Sequence, residues 1–119
     1  MRIDPDAVQA LLPLPPATFH ILVALSAGER HGYGIMQDVE ERTGGALRLS
    51  AGTLYRTIQR LLDQGLISEP SRVVRSGDDP RRRTYRITAF GTAVARADAE
   101  RLGEMVSFAR SVGLLGGAS

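Results

Sequence analysis

The 119-residue chain contains no cysteine and no tryptophan, and all 15 of its cationic side chains are arginine, with no lysine. Without cysteine there is no disulfide framework, no thiolate metal site and no cysteine nucleophile. Two histidines, His20 and His31, are too few for a histidine-rich metal centre. Three Phe and three Tyr leave little aromatic material. The longest apolar stretch, Ile21 to Leu25, falls far short of the ~20 residues that cross a bilayer. The first residues lack a positive start followed by an apolar run, so no targeting segment, no membrane association and a cytoplasmic location are expected. With 43% hydrophobic and 24% charged residues, the chain is expected to fold as one globular domain with an appendage.

The net charge of +2 is unremarkable, but its distribution is not. Residues 1–47 hold three arginines against six acids, and residues 87–119 hold three of each. Residues 48–86 hold nine arginines against four acids. A GC-rich coding sequence would account for arginine in place of lysine. It does not account for where the arginines gather, and a segregated basic segment points to a polyanion.

Residues 4–12 read as a short N-terminal helix. Pro16 suits the first turn of a second helix reaching about Ala27, with Ile21, Leu22 and Leu25 at helical spacing. His31-Gly32-Tyr33-Gly34 opens a third, with Ile35, Met36 and Val39 on one face and Gly44-Gly45 at its end. Ser50 is a suitable N-cap for a further helix closed by Gly65. Its apolar stripe is Leu54, Ile58, Leu61 and Leu62, and its opposite face carries Gly52, Thr53, Arg56, Gln59, Arg60 and Asp63. A two-stranded hairpin is expected next. Val73-Val74 lies on its first strand and Thr84-Tyr85-Arg86-Ile87 on its second, around the turn Ser76-Gly77-Asp78-Asp79-Pro80. Arg75 and Arg81-Arg82-Arg83 flank that turn. Thr88 can cap a last helix from about Ala89 to Val112.

This order predicts a mainly α protein with a small β-hairpin: a winged helix-turn-helix followed by a long C-terminal dimerisation helix. The expected divisions are an N-terminal segment (1–15), a DNA-binding domain (16–88) and a dimerisation helix with its tail (89–119). An α-helix fits the major groove, and an arginine fork binds guanine or phosphate through two hydrogen bonds. The candidate DNA-contacting set is His31, Tyr33, Ser50, Gly52, Thr53, Tyr55, Arg56, Gln59, Arg60, Arg81, Arg82 and Arg83. The bland alternatives are a solvated helix face for the arginines, a core position for Tyr55 and a turn role for Asp78-Asp79. Phe90 and Val94, in a first apolar run, and Leu102, Met105, Val106, Ala109 and Val112, in a second nearer the end, lie on a helix longer than the domain needs and are assigned to a homodimer interface. No nucleophile–base pair or metal-ligand spacing supports an enzyme, and no cofactor or metal is expected. The rival reading is a winged-helix protein-interaction module without DNA binding.

The segments His31-Gly32-Tyr33-Gly34-Ile35, Leu49-Ser50-Ala51-Gly52-Thr53-Leu54-Tyr55-Arg56, Leu61-Leu62 to Gly65-Leu66-Ile67, Arg82-Arg83-Thr84-Tyr85-Arg86-Ile87-Thr88 and Phe90-Gly91 resemble the PadR family of transcriptional regulators. The resemblance covers about residues 16–95. One departure is Ala51, where the family often has Pro. The single helix after the wing resembles the smaller PadR subgroup. The resemblance implies a homodimeric repressor of double-stranded DNA, relieved by a small-molecule effector or a stress signal. Effectors in the family are phenolic in some members and lipophilic drugs in others, and often lie near the dimer interface. Without tryptophan, this chain is poorly equipped for an aromatic drug sandwich.

Overall fold

A computed structural model describes residues 2–70 and 83–116. The elements run α1 (Pro5–Gln9), α2 (Pro16–Ser26), β1 (Arg30–His31), α3 (Gly32–Arg42), α4 (Ala51–Asp63), β2 (Ile67–Ser68), β3 (Thr84–Ile87) and α5 (Ala89–Ser111). The fold is mainly helical with a small antiparallel sheet, as expected. The first helix is shorter than residues 4–12 suggested: the Asp4 side chain caps it, accepting from the Asp6 amide, and it ends at Gln9.

The sheet differs in detail from a two-stranded hairpin. It has three strands in the order β1-β3-β2. Arg30 and His31 pair with Tyr85 and Thr84 on one side of β3, and Ile67 and Ser68 pair with Ile87 and Arg86 on the other. The first wing strand thus begins at Ile67, directly after α4. The expected strand at Val73-Val74, the turn at 76–80, and Arg75, Arg81 and Arg82 lie outside the described residues.

The core sits where α2, α3 and α4 converge over the sheet. Ile21, Leu22, Ile35, Leu54, Leu61 and Leu66 are fully enclosed, and Tyr85 closes the core from β3. Two arginines fasten α2 to the helix-turn-helix. The Arg30 Nε donates to the Ala24 carbonyl at 3.0 Å, and Arg42 Nη2 donates to that of His20 at 2.9 Å. Asp38 bridges both guanidinium groups, at 3.7 Å from Arg30 and 2.7 Å from Arg42. Two α2 carbonyls thereby gain charge-assisted partners. Thr43 secures the turn between α3 and α4: its hydroxyl donates to the Val39 carbonyl at 2.8 Å and accepts from the Leu47 amide at 3.1 Å.

Helix α4 is bounded as its sequence suggests. The Ser50 Oγ accepts from the Thr53 amide at 3.1 Å. At the other end Gly65 adopts a positive φ of 74°, which glycine reaches without a side-chain penalty. The Leu66 amide then reaches back to the Leu61 carbonyl and the Gly65 amide to that of Leu62, closing the helix. Helix α5 spans 23 residues, about 35 Å. Its N-cap Thr88 accepts from the Gly91 amide at 3.0 Å and donates to the Gly65 carbonyl at 2.6 Å. The end of α4 and the start of α5 therefore share one joint. Among the described residues, no helix is long and apolar enough to cross a membrane.

Candidate nucleic-acid interface

Leu54, Thr57, Ile58 and Leu61 anchor one side of α4 in the core. The opposite side is left in solvent, with Gly52, Arg56, Gln59 and Arg60 exposed and Thr53 half-buried. Its polar groups are ordered among themselves. The Ser50 hydroxyl donates to Thr53 Oγ1 at 3.0 Å, and Arg56 Nη2 lies 3.5 Å from the same oxygen. Gln59 donates to Asp63 at 3.0 Å. Among the described residues, neither Arg56 nor Arg60 takes part in an ion pair, whereas Arg30, Arg42, Arg48, Arg86 and Arg101 all do. The exposed face of α4 thus keeps its positive charge available to an anionic partner.

Tyr55 is half-buried and packs across the start of α3. A Cβ at Gly32 would meet its hydroxyl oxygen at 2.5 Å, so the glycine makes room for the ring. His31 lies in β1 rather than in the helix, with its Nδ1 3.4 Å from Thr84 Oγ1. Tyr33, two residues on, is 55% exposed. The structure brings Tyr55, Gln59 and Arg83 to one cleft of about 330 Å³ between α4 and β3, with Glu69 and Tyr85. An adjoining cleft of about 520 Å³ adds Asp63 and Ser68. Arg83 is half-buried there, and its Nε has no hydrogen-bond partner among the described residues. Nothing in the local sequence pattern marks Glu69 as a neighbour of these groups.

Burial pushes the Tyr85 hydroxyl up to about 12. The Glu69 carboxylate and Tyr55 add to the rise, and Arg83 opposes it. The folded state holds this proton more tightly than the unfolded chain, whose tyrosines titrate near 10. The stability that the protonated hydroxyl contributes is therefore complete below pH 10 and is lost as pH rises towards 12. No lysine titrates in that window, so the loss belongs to tyrosine. Urea midpoints measured from pH 9 to 12 should fall for the unaltered protein and much less for Tyr85→Phe. Burial, with the Arg42 charge second, lowers the pKa of His20. Among the described residues no group of His, Asp and Glu could hold a metal ion.

The residues expected at a dimer interface divide along α5. Val94 is not available to a partner: it is 0% exposed and belongs to the core of its own chain. Phe90 is half-buried and packs against that core. Leu102 and Ala109 are half-buried, while Met105, Val106 and Val112 are 56%, 43% and 71% exposed. Phe108, Leu114 and Leu115 extend this bare surface, at 75%, 77% and 43% exposed. Phe108 falls off the main stripe, and the two leucines lie beyond the helix, so periodicity did not mark them.

Comparison with known proteins agrees with this architecture. A family described as "Transcriptional regulator PadR-like family" matches residues 21–97. The transcriptional regulator Rv3488 of Mycobacterium tuberculosis is 39% identical over 100 residues, covering 84% of this chain and 83% of its own. Among solved structures, a transcriptional regulator from Clostridium thermocellum superposes with a TM-score of 0.64 at 24% identity, over 92% of this chain and 97% of its own. Bacillus subtilis PadR, solved in complex with operator DNA, gives a TM-score of 0.58 at 22% identity, over 76% of this chain and 48% of its own.

Proposed function

Because the chain belongs to the PadR-like family of transcriptional regulators, we propose that it acts as a homodimer that binds double-stranded DNA sequence-specifically and represses transcription from an inverted-repeat operator. The observation that carries this reading is the α4 face. It is anchored from behind by the core, it is exposed, and Arg56 and Arg60 on it form no ion pair among the described residues. The operator complex of Bacillus subtilis PadR supports it, since this chain shares that fold. Helix α4 is the element that enters the major groove. In this reading Arg81, Arg82 and Arg83 meet the flanking backbone, and His31 and Tyr33 belong to the same DNA-contacting set. A two-fold axis places the half-sites one helical turn, about 34–36 Å, or a multiple apart. In this reading a small-molecule effector or a stress signal changes the spacing of the two α4 helices.

Titration of operator DNA at fixed salt tests it. Arg56→Ala should weaken binding by about 1–3 kcal/mol and relax specificity at one base pair if it reads a base, or weaken all sequences alike if it holds a phosphate. Arg56→Ala and Arg60→Ala together, with an unchanged isotherm, would remove α4 as the reading element. Absence of DNA affinity in the unaltered protein would favour a protein-interaction module.

A further inference from the structure

Gly52 stands in the first turn of α4 for no reason that the fold supplies. Its φ is not positive, so any L-residue could adopt its backbone conformation. A Cβ built on it meets nothing within 4 Å. Alanine is a better helix former than glycine, so the fold by itself favours alanine there. This differs from Gly32 and Gly91, where a Cβ would collide with Tyr55 and with Leu66 and Ile87.

The position of Gly52 suggests what does exclude a side chain. It lies one helical turn before Arg56, on the same exposed face as Gln59 and Arg60. Beside it runs the chain of contacts Ser50 Oγ to Thr53 Oγ1 to Arg56 Nη2. The leading turn of α4 is thus flanked by polar groups on one side and is bare at Gly52. A recognition helix approaches base edges most closely through its N-terminal residues. We propose that Gly52 is a clearance residue for DNA: its bare Cα lets the first turn of α4 sit against the base-pair edges of the major groove, at a depth that a methyl side chain forbids. This rests on the reading of α4 as the DNA-contacting helix. Gly52 then acts on specificity rather than on charge, because it contributes no cation and no side-chain hydrogen bond. A complex held by phosphates alone, on unrelated DNA, does not require that depth.

The test uses the full chain, a 30-bp duplex that the unaltered protein itself selects from a random-sequence pool, and an unrelated duplex of equal length. Gly52→Ala and Gly52→Ser are compared with the unaltered protein by thermal melting and fluorescence anisotropy. The melting temperature of Gly52→Ala should hold or rise. Its Kd for the selected duplex should increase at least tenfold, and that for the unrelated duplex at low salt should stay within about twofold. Binding of the selected duplex within twofold would overturn the proposal. So would an equal loss on both duplexes, which points to phosphates, or a lowered melting temperature, which points to a role in the fold. Arg56→Ala is run alongside. If the unaltered protein selects no sequence and Arg56→Ala changes nothing, the DNA-binding reading itself has failed, whereas loss in Arg56→Ala with none in Gly52→Ala overturns the clearance role alone.

Discussion

Met105→Asp should sediment as a monomer at tens of micromolar, where the proposed homodimer requires the unaltered chain to sediment as a dimer. Along α5, Gly91, Val94, Asp98, Leu102, Met105, Ala109 and Val112 recur in steps of three and four residues, which is the seam that one helix offers to another. Its first half is covered within the chain: Val94 and Asp98 are 0% and 1% exposed. Its second half carries the same stripe beyond the domain, with Met105 56% and Val112 71% exposed. The apolar second half of this stripe leaves its own domain and calls for a second helix, and a second copy supplies the identical stripe under two-fold symmetry. A carboxylate at Met105 would be buried there, on both protomers at once, beside an Arg101 that Asp98 already engages. The dimer Kd should rise at least about 100-fold, or roughly 3 kcal/mol. The monomer should remain folded, because Met105 touches water in the isolated chain. A monomeric unaltered protein, or a dimer that survives Met105→Asp, would refute the assignment of this stripe.

The helices were legible because their ends carry local chemistry. Ser50 and Thr88 cap α4 and α5 with their own hydroxyls, and Gly65 stops α4 through a positive φ. Each of these signals acts within a few residues, so the sequence displays it. Strand β1 was not legible for the opposite reason. Two residues, Arg30 and His31, are too few to alternate, and they are extended because Tyr85 and Thr84 lie beside them, more than 50 positions away. The same limit governs Val94. Periodicity shows that it belongs to an apolar face but not which body covers that face, and the answer comes only from where α1 and α2 end along α5. At the α4 face the polar residues were legible from the 100° rotation per residue. The cleft that joins Gln59 to Arg83 and Glu69 was not, since it arises from the sheet register.

Gly91→Ala should strongly destabilise the protein, although it adds only a single methyl group, at a helical position. A Cβ at Gly91 would overlap the Leu66 carbonyl oxygen and approach Ile87 Cγ1 to 2.9 Å. The carbonyl cannot yield. It accepts the Thr88 amide at 3.0 Å, and its residue is fixed by the Leu66 amide's bond to the Leu61 carbonyl at 2.9 Å. Leu66 is also fully buried. To admit the methyl, α5 must lift from the corner where α4 ends and β2 begins. That breaks the bonds from Thr88 to Gly65 and Leu66 and opens the core around Val94. Overpacking costs about 1–3 kcal/mol, and buried backbone groups left unpaired cost a further 1–3 kcal/mol each. A loss of about 3–5 kcal/mol is expected, against a total stability of about 5–15 kcal/mol for a domain of this kind. Urea denaturation followed by circular dichroism measures it, and a loss below about 1 kcal/mol would show that the corner can relax. Thr88→Ser keeps the hydroxyl that donates to Gly65 and should cost far less, which separates the steric demand at Gly91 from the capping role of Thr88. In any variant that stays folded, the lift of α5 also shifts α4, because Gly65 and Leu66 belong to the α4 cap. Affinity for operator DNA should therefore fall along with stability, even though Gly91 lies at the far end of α4 from the face proposed to read DNA.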